Sequence, residues 1–202
     1  MTGPSLALLV PFLLAAYLVA AVPFGFLAHR LRTGKDIREE GSGNIGATNV
    51  LRTSGRGWAA LVLLLDVLKG FAPVLAARLL WGPGWVPALT AVVTVLAHCF
   101  PVYLRLRGGK GVATGLGALA ALAPWAVLPS IAVFLLLALP TRYVSLGSIG
   151  GAAAIPVSLW LLGQGAATAV LGGVCGAVII LRHAGNIARL VRGTERKLGE
   201  AP

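Results

Sequence analysis

"VATGLGALAALAPWAVLPSIAVFLLLAL", residues 112–139, decides how this chain is arranged. The stretch is too long for one ordinary membrane crossing, because a hydrocarbon core of about 30 Å needs about 20 helical residues. Pro124 and Pro129 lie in its middle, where they would interrupt a continuous helix. Its first part is long enough only for a short helix. Residues 112–139 therefore form either one irregular crossing or a hairpin of two short helices.

The rest of the sequence is equally apolar. Of the 202 residues, 57% are hydrophobic and 11% are charged, and the mean hydropathy is +0.88, which argues against a soluble globular protein. Further apolar stretches occur at 5–28, 58–80, 86–104, 146–162 and 167–183. The basic residues of the first stretch follow it rather than precede it, which indicates a retained helix and not a cleaved signal peptide. We expect an all-α, polytopic membrane protein with a single domain, 1–202.

The basic residues predict the orientation. Of the 17 Lys and Arg residues, all but Lys69 and Arg78 fall within 30–56, 105–110 and 182–197 or at Arg142. The connections at 81–85 and 163–166 are uncharged, so the positive-inside rule places them and the N-terminus outside. A single crossing by 112–139 would put Arg142 and the basic C-terminal tail on the outer face of the membrane, against the positive-inside rule. A hairpin turning near Ala123 and Pro124 removes the conflict, giving about seven helical segments with the N-terminus out and the C-terminus in.

Charge and cysteine usage limit the possible partners. The formal net charge is +11, but the basic residues lie at the ends of apolar stretches, as in cytoplasmic loops. Anionic lipid headgroups and phosphate compounds are therefore expected partners, and nucleic acid is not. Cys99 and Cys175 both lie in apolar segments, which indicates packing rather than a disulfide or a metal site. We expect no metal and no cofactor.

The loop "GSGNIGATNVLR", 41–52, carries the densest group of small polar residues. Glycine N–H groups can approach an anion closely, amides and hydroxyls add hydrogen bonds, and an arginine can bind phosphate with two parallel bonds. A flexible cytoplasmic loop is the alternative. The candidate binding residues are Ser42, Gly43, Asn44, Thr48, Asn49 and Arg52.

The segment "RLRGGKGVATG", 105–115, places a Gly-Gly-Lys-Gly sequence before a short helix. It lacks the Walker A spacing, but glycine N–H groups, a helix N-terminus and a lysine bind anions by the same physics. The alternative is an interfacial lysine that extends towards water. The candidates here are Gly108, Gly109, Lys110 and Gly111.

Two further segments carry polar residues. In "RYVSLGSIGG", 142–151, Arg142 and Ser145 are candidate ligands, although Ser145 could instead cap the following helix. In "RHAGNIARLVRGTERK", 182–197, His183 and Asn186 would share one helix face.

The remaining ionisable residues have simpler interpretations. Asp66 and Lys69 are three apart and are expected to form a structural pair on one helix face. His29 is expected at the membrane interface, and His98 is expected to pack or hydrogen-bond locally.

Two classes of function fit four anion-binding segments on one membrane face. One is an enzyme that joins a phosphate compound to a lipid, and the other is a transporter or channel for an anionic solute. A transporter places its substrate near the bilayer midplane on broken helices. The polar groups gather at one interface instead, which favours the enzyme.

Four blocks of this sequence resemble a known family in order and spacing. The blocks "GSGNIGATNVLR", "HCFPVYLRLRGGKGVATG", "RYVSLGSI" and "HAGNIARLVRGTERKL" are similar to the bacterial acyl-phosphate:glycerol-3-phosphate acyltransferases, the PlsY family, as is "DVLKG" at 66–70. The resemblance implies acyl transfer from acyl phosphate to the primary hydroxyl of glycerol-3-phosphate, giving lysophosphatidic acid and inorganic phosphate. It further implies the first step of phospholipid synthesis, in the bacterial inner membrane, with the active site facing the cytoplasm. None of the three histidines has an aspartate five residues on, so the His–Asp pair of many other acyltransferases is absent.

Given this resemblance, we assign roles to four catalytic candidates, Ser42, Lys110, His183 and Asn186. Lys110 would bind phosphate, and Ser42 would donate or accept hydrogen bonds rather than act as a nucleophile. His183 would hold glycerol-3-phosphate together with Arg52 and Asn186, or would act as the general base, a role that a substrate phosphate could also take. The oligomeric state is not readable from the sequence, and a monomer is our working expectation.

Overall fold

The computed structural model describes residues 4–200, and that range is helical without any strand. The fold class predicted from sequence, all-α, is confirmed. Short 3-10 turns lie at Ile37–Glu39, Val102–Leu104 and Pro124–Ala126. In chain order, the α helices of this range are α1 (Leu6–Ala20), α2 (Phe24–Thr33), α3 (Ala47–Ser54), α4 (Arg56–Trp81), α5 (Trp85–Cys99), α6 (Val112–Leu122), α7 (Val127–Thr141), α8 (Val144–Leu161), α9 (Ala166–Arg182) and α10 (Ala184–Val191).

Within residues 4–200, five helical segments are long and apolar enough to cross a membrane. They are Leu6–Thr33, Arg56–Trp81, Trp85–Leu104, Pro124–Thr141 and Val144–Leu161. Helices α9 and α10 meet at a bend of 57° and would add a sixth crossing if they are one broken span. Large apolar side chains such as Leu79 and Trp160 face outward, as they do on a lipid-facing surface. The chain is therefore a multi-pass membrane protein.

The helix break expected near Ala123 and Pro124 is present. Helix α6 ends at Leu122, Ala123 is extended, and the chain resumes as a 3-10 turn before α7. A guanidinium nitrogen of Arg78 in α4 donates to the carbonyl oxygens of Ala121 (3.0 Å) and Leu122 (3.3 Å). These bonds satisfy carbonyls at the end of α6 that have no partner within the helix, which is why α6 can stop there.

The first apolar stretch differs from the prediction of one helix over 5–28. It divides into α1 and α2 at Ala21–Pro23, because proline removes a backbone donor and disfavours helical geometry in the residue before it. The side chain of His29, which was expected at the membrane interface, is completely buried within the protein. Its Nδ1 lies 2.8 Å from Ser54 Oγ and its Nε2 lies 3.3 Å from Glu40 Oε2, because α2 packs against α3.

Close helix contacts depend on glycine. A Cβ atom at Gly117 of α6 would lie 2.0 Å from the carbonyl oxygen of Val67 in α4, and one at Gly70 of α4 would lie 2.0 Å from that of Thr114. Helices α8 and α9 approach in the same way at Gly176, which faces the carbonyl of Ala152. The small-residue sequence of α9 therefore serves packing, as predicted. Cys99 and Cys175 are buried free thiols, also as predicted.

Candidate active site

The helices enclose a cavity of about 820 Å³ with one polar and one apolar end. The polar end is formed by the loop before α3, by α3 itself, by the segment before α6 and by α10 and the residues after it. The apolar end lies between α4, α6, α7 and α8, where Leu119, Phe134 and Ile155 line it. Such a cavity has room for a charged group at one end and a hydrocarbon chain at the other.

Asn49 organises the loop at the polar end. Its Oδ1 accepts the Ser42 backbone N–H (2.8 Å), and its Nδ2 donates to the carbonyls of Glu40 (3.1 Å) and Asn44 (2.9 Å). Asn49 is almost fully buried, so these bonds replace the hydrogen bonds that its amide would otherwise form with water. Although Asn49 reaches the cavity wall, its side chain mainly fixes the loop that presents Ser42 and Asn44.

Lys110 lies at the polar end beside Asn186. Its Nζ donates to Asn186 Oδ1 at 2.5 Å, joining the segment before α6 to α10. Burial lowers the pKa of Lys110 to about 8; Glu195 opposes this shift, and Arg189, Arg52 and Arg182 add to it. Repulsion from three arginines indicates a positively charged site, which a bound anion would stabilise.

Glu195 is a residue of the polar end that sequence analysis did not select. Its Oε1 accepts hydrogen bonds from Ser145 Oγ (2.7 Å) and Asn186 Nδ2 (2.6 Å), and its Oε2 accepts from Arg189 Nε (2.7 Å). Burial raises the pKa of Glu195, but the bonds from Asn186, Ser145 and Arg189 outweigh it and hold the pKa below its usual value. The one sequence signal was a lone carboxylate within the basic segment 182–197.

His183 lies at the bend between α9 and α10 and lines the cavity. Its Nδ1 lies 2.7 Å from the carbonyl oxygen of Ile179, and a carbonyl can only accept, so Nδ1 carries the proton in the neutral ring. Nε2 is then the atom with a free lone pair. No side-chain hydrogen bond to Nε2 occurs within residues 4–200, so its lone pair can accept a hydrogen bond from another donor.

The predicted Asp66–Lys69 pair is present and buried, with Nζ 2.7 Å from Oδ1. Lys69 also donates to the carbonyl of Val22 at the break between α1 and α2 (2.8 Å). His98 is buried beside this pair and hydrogen-bonds Thr114 (3.2 Å) through Nδ1, which fits the local role expected of it. Sequence analysis did not predict that Asp66 and His98 would line the cavity.

The structure brings most of the predicted site residues to this cavity. Those that line it are Ser42, Asn44, Thr48, Asn49, Arg52, Lys110, Gly111, Ser145, His183 and Asn186. Four predicted residues do not line it, namely Gly43, Gly108, Gly109 and Arg142.

Gly108 and Gly109 differ from the prediction in their role. Their N–H groups bond to the carbonyls of Cys99 (3.2 Å) and His98 (3.1 Å), so they are not free to bind an anion. Their carbonyls accept hydrogen bonds from the guanidinium of Arg182, both at 3.0 Å. Glycine is needed at 109 because a Cβ there would lie 2.2 Å from His98 Nε2.

Arg142 differs from the prediction, whereas Ser145 lines the cavity as a candidate ligand should and does not take the alternative capping role. The Arg142 guanidinium donates to the carbonyl of Leu198 (3.1 and 2.6 Å) and so holds the C-terminal segment instead of facing the cavity. Ser145 does not cap α8, which begins after Tyr143 without a side-chain cap. The Ser145 hydroxyl bonds Glu195 and in this way connects α8 to the polar end.

Comparison with known proteins agrees with this geometry. Residues 10–193 match the model of the glycerol-3-phosphate acyltransferase family. The chain is 46% identical over 190 residues to the glycerol-3-phosphate acyltransferase of Rubrobacter xylanophilus, covering 94% of this chain and 95% of that one. It is 48% identical over 187 residues to the enzyme of Syntrophotalea carbinolica, covering 92% and 95%.

Two solved structures have the same fold. Both are crystal structures of PlsY, described as an integral membrane glycerol 3-phosphate acyltransferase. The glycerol 3-phosphate form has a TM-score of 0.91 and 41% identity, and covers 95% of this chain and 96% of that chain. The lysophosphatidic acid form has a TM-score of 0.86 and 39% identity, and covers 95% of both chains. The chain belongs to the glycerol-3-phosphate acyltransferase family.

Proposed function

We propose that this protein transfers a fatty acyl group from acyl phosphate to the primary hydroxyl of glycerol-3-phosphate, releasing lysophosphatidic acid and inorganic phosphate. One observation carries the proposal: a single cavity joins a polar end that contains Lys110, Arg52 and Arg189 to an apolar end between α6, α7 and α8. The cationic end suits the phosphates of both substrates, and the apolar end suits the acyl chain.

Acyl phosphate already carries a good leaving group, so the site has mainly to align two anions and stabilise the developing charge. The oxygen of the glycerol-3-phosphate hydroxyl bonds to the acyl carbon, and the carbon–oxygen bond to phosphate then breaks. The hydroxyl proton ends on the released phosphate. His183 Nε2 carries that proton in between, or the substrate phosphate takes it directly.

The other roles follow from the contacts. Lys110 binds phosphate, and Arg52 and Asn186 hold glycerol-3-phosphate beside it. No hydrogen bond joins Ser42 Oγ to a basic side chain within residues 4–200, which supports a hydrogen-bonding role rather than attack by serine. Ser42, Asn44 and Thr48 would therefore position the reacting groups.

We further propose that the protein acts as a monomer of one domain, 1–202, in the bacterial inner membrane and catalyses the first step of phospholipid synthesis. In this proposal there are about seven helical segments with the N-terminus out, and the polar end of the cavity faces the cytoplasm. The uncharged connection at 81–85 and the basic segment 182–197 support this orientation. A reporter fused at Gly82 should be active outside and one fused after Pro202 inside, and the reverse pattern would contradict the orientation.

The donor is tested by supplying palmitoyl phosphate or palmitoyl-CoA, with glycerol-3-phosphate, to the purified protein. Mass spectrometry of the lipid product should show lysophosphatidic acid with palmitoyl phosphate and none above background with palmitoyl-CoA. Product formation from palmitoyl-CoA alone would refute the proposed donor while leaving the acyltransferase family assignment intact.

A further inference from the structure

A second cavity, of about 520 Å³, lies apart from the active site and shares no lining residue with it. Four arginines reach it: Arg30 from α2, Arg38 from the turn after α2, and Arg105 and Arg107 from the segment after α5. The aromatic rings of Phe26 and Tyr103 complete most of its wall. None of these residues has a role in the acyl transfer described above.

The charge of this second cavity is strongly positive. Arg38 is paired with Asp36, with nitrogen and oxygen 2.6 Å apart. The side chains of Arg30, Arg105 and Arg107 form no ion pair and no hydrogen bond within residues 4–200. The guanidinium groups of Arg30 and Arg38 lie over the Phe26 ring, with their carbon atoms 5.8 and 5.5 Å from the ring centre. Three guanidinium groups without a carboxylate partner around one cavity favour an anionic ligand.

The backbone is bent unusually to bring two of these arginines together. Arg105 and Leu106 are consecutive residues with positive φ, 51° and 62°. This conformation is unfavourable for residues other than glycine, because their Cβ atom crowds the backbone. The tight turn that results follows the 3-10 turn Val102–Leu104 and lets Arg105 and Arg107 face the same cavity as Arg30. Strained backbone of this kind is often retained where it positions functional groups.

The surroundings of this cavity are apolar and exposed. Leu31 is 80% exposed, Leu106 56% and Tyr103 54%. Leu27 and Val102, each next in sequence to a residue that lines the cavity, are also exposed. Leu27 and Leu31 lie in the membrane-spanning segment Leu6–Thr33, and Val102 and Tyr103 lie in Trp85–Leu104. The cavity is therefore at the boundary between hydrocarbon and headgroups, where a soluble anion would leave these side chains uncovered.

We propose that this second cavity binds an anionic phospholipid, with the lipid phosphate among Arg30, Arg105 and Arg107 and the acyl chains along the exposed leucines. The ligand is a phosphodiester lipid such as phosphatidylglycerol. This site is distinct from the active site, and the proposal does not depend on the identity of the acyl donor.

The test measures binding of dioleoyl-phosphatidylglycerol to the full chain in a neutral detergent by native mass spectrometry. The variant R30Q/R105Q/R107Q removes the three arginines without a carboxylate partner and leaves Arg38 with Asp36. The control variant R32Q/R56Q/R192Q removes the same charge from exposed arginines that line neither cavity. Gel filtration and the thermal midpoint establish that both variants are folded.

The variant R30Q/R105Q/R107Q should bind phosphatidylglycerol about 100-fold more weakly, because each arginine contributes about fivefold to the affinity. The affinity of the control variant should stay within about threefold of that of the original protein. Dioleoyl-phosphatidylcholine should bind the original protein and both variants equally weakly. Equal losses in the two variants would overturn the proposal, because only net charge would then matter. Displacement of the lipid by millimolar inorganic phosphate would also overturn it, since the site would then be one for a soluble phosphate.

Discussion

Replacing Lys110 with methionine tests the proposed phosphate site most sharply. Methionine keeps an unbranched side chain of similar length but removes the charge and the 2.5 Å hydrogen bond to Asn186 Oδ1. Asn186 stays held through its Nδ2 by Glu195, so the rest of the polar end should keep its shape. The substitution therefore removes one cation from a site that the structure otherwise maintains.

The expected effect is large because the charge acts in a partly buried site. Loss of one donor that stabilises developing negative charge lowers turnover about 100- to 1,000-fold, or about 3–4 kcal/mol. Arg52 and Arg189 still line the cavity in the K110M variant, so some substrate binding should persist. We therefore expect kcat/KM to decrease about 100- to 1,000-fold, with kcat reduced more than the affinity for glycerol-3-phosphate.

The assay follows lysophosphatidic acid formation from palmitoyl phosphate in detergent. Lys35→Met is the matched control, because the Lys35 side chain is 71% exposed and makes an exposed ion pair with Glu40. The control should retain kcat/KM within about twofold, consistent with the small energies of exposed ion pairs. A folded K110M protein with kcat/KM within threefold of the original would refute the phosphate-binding role of Lys110.

Two other predictions concern charge and packing. Because burial lowers the pKa of Lys110 to about 8, the charged form is lost as the pH rises through 8, and kcat/KM should fall about tenfold per pH unit above that value. A bound phosphate favours the charged lysine, so the decline in kcat should occur at higher pH, and a kcat/KM that stays constant up to pH 9.5 would contradict this account. Gly117→Ala places a Cβ against the Val67 carbonyl and should destabilise the protein by about 1–3 kcal/mol, whereas Gly57→Ala, with open space around it, should be neutral or slightly stabilising. Equal thermal midpoints for these two variants would mean that α4 and α6 are not in the close contact described.

The helical class and the break at Ala123 could be predicted because their signals are local. Pro124 lacks a backbone N–H and disfavours helical geometry at Ala123, although prolines inside α4 and α8 are accommodated. Apolar length together with basic residues indicates how segments meet a membrane. The partner that makes the break tolerable, Arg78, could not be predicted. It satisfies the carbonyls of Ala121 and Leu122 from a different helix, and no sequence spacing encodes that contact.

The polar residues of the site were predicted better than their roles. Residues 41–52, Lys110, His183 and Asn186 were identified because amides, hydroxyls and glycines are unusual at such density in an apolar chain. The same residue types serve several purposes, however. Asn49 holds the loop through backbone groups of Glu40, Ser42 and Asn44, and Gly109 makes room for His98. Residue type alone does not distinguish these packing and loop-fixing roles from ligand binding.

Glu195 shows the limit of local reasoning most directly. In the sequence it is one carboxylate in a basic segment, which a surface ion pair would explain. In the structure it accepts hydrogen bonds from Ser145 in α8 and from Asn186 and Arg189 in α10. Because α8 packs beside α10, Glu195 can accept hydrogen bonds from both helices and hold the polar end of the cavity together.

In the proposed mechanism the glycerol-3-phosphate hydroxyl attacks acyl phosphate directly, without an acyl-enzyme on Ser42. The most direct measurement is rapid-quench release of inorganic phosphate from palmitoyl phosphate, at enzyme concentrations near that of the substrate, with and without glycerol-3-phosphate. Direct attack should release phosphate only when glycerol-3-phosphate is present, in a one-to-one ratio with lysophosphatidic acid. A burst of phosphate equal to the enzyme concentration without glycerol-3-phosphate, together with a palmitoyl adduct on the protein, would contradict it.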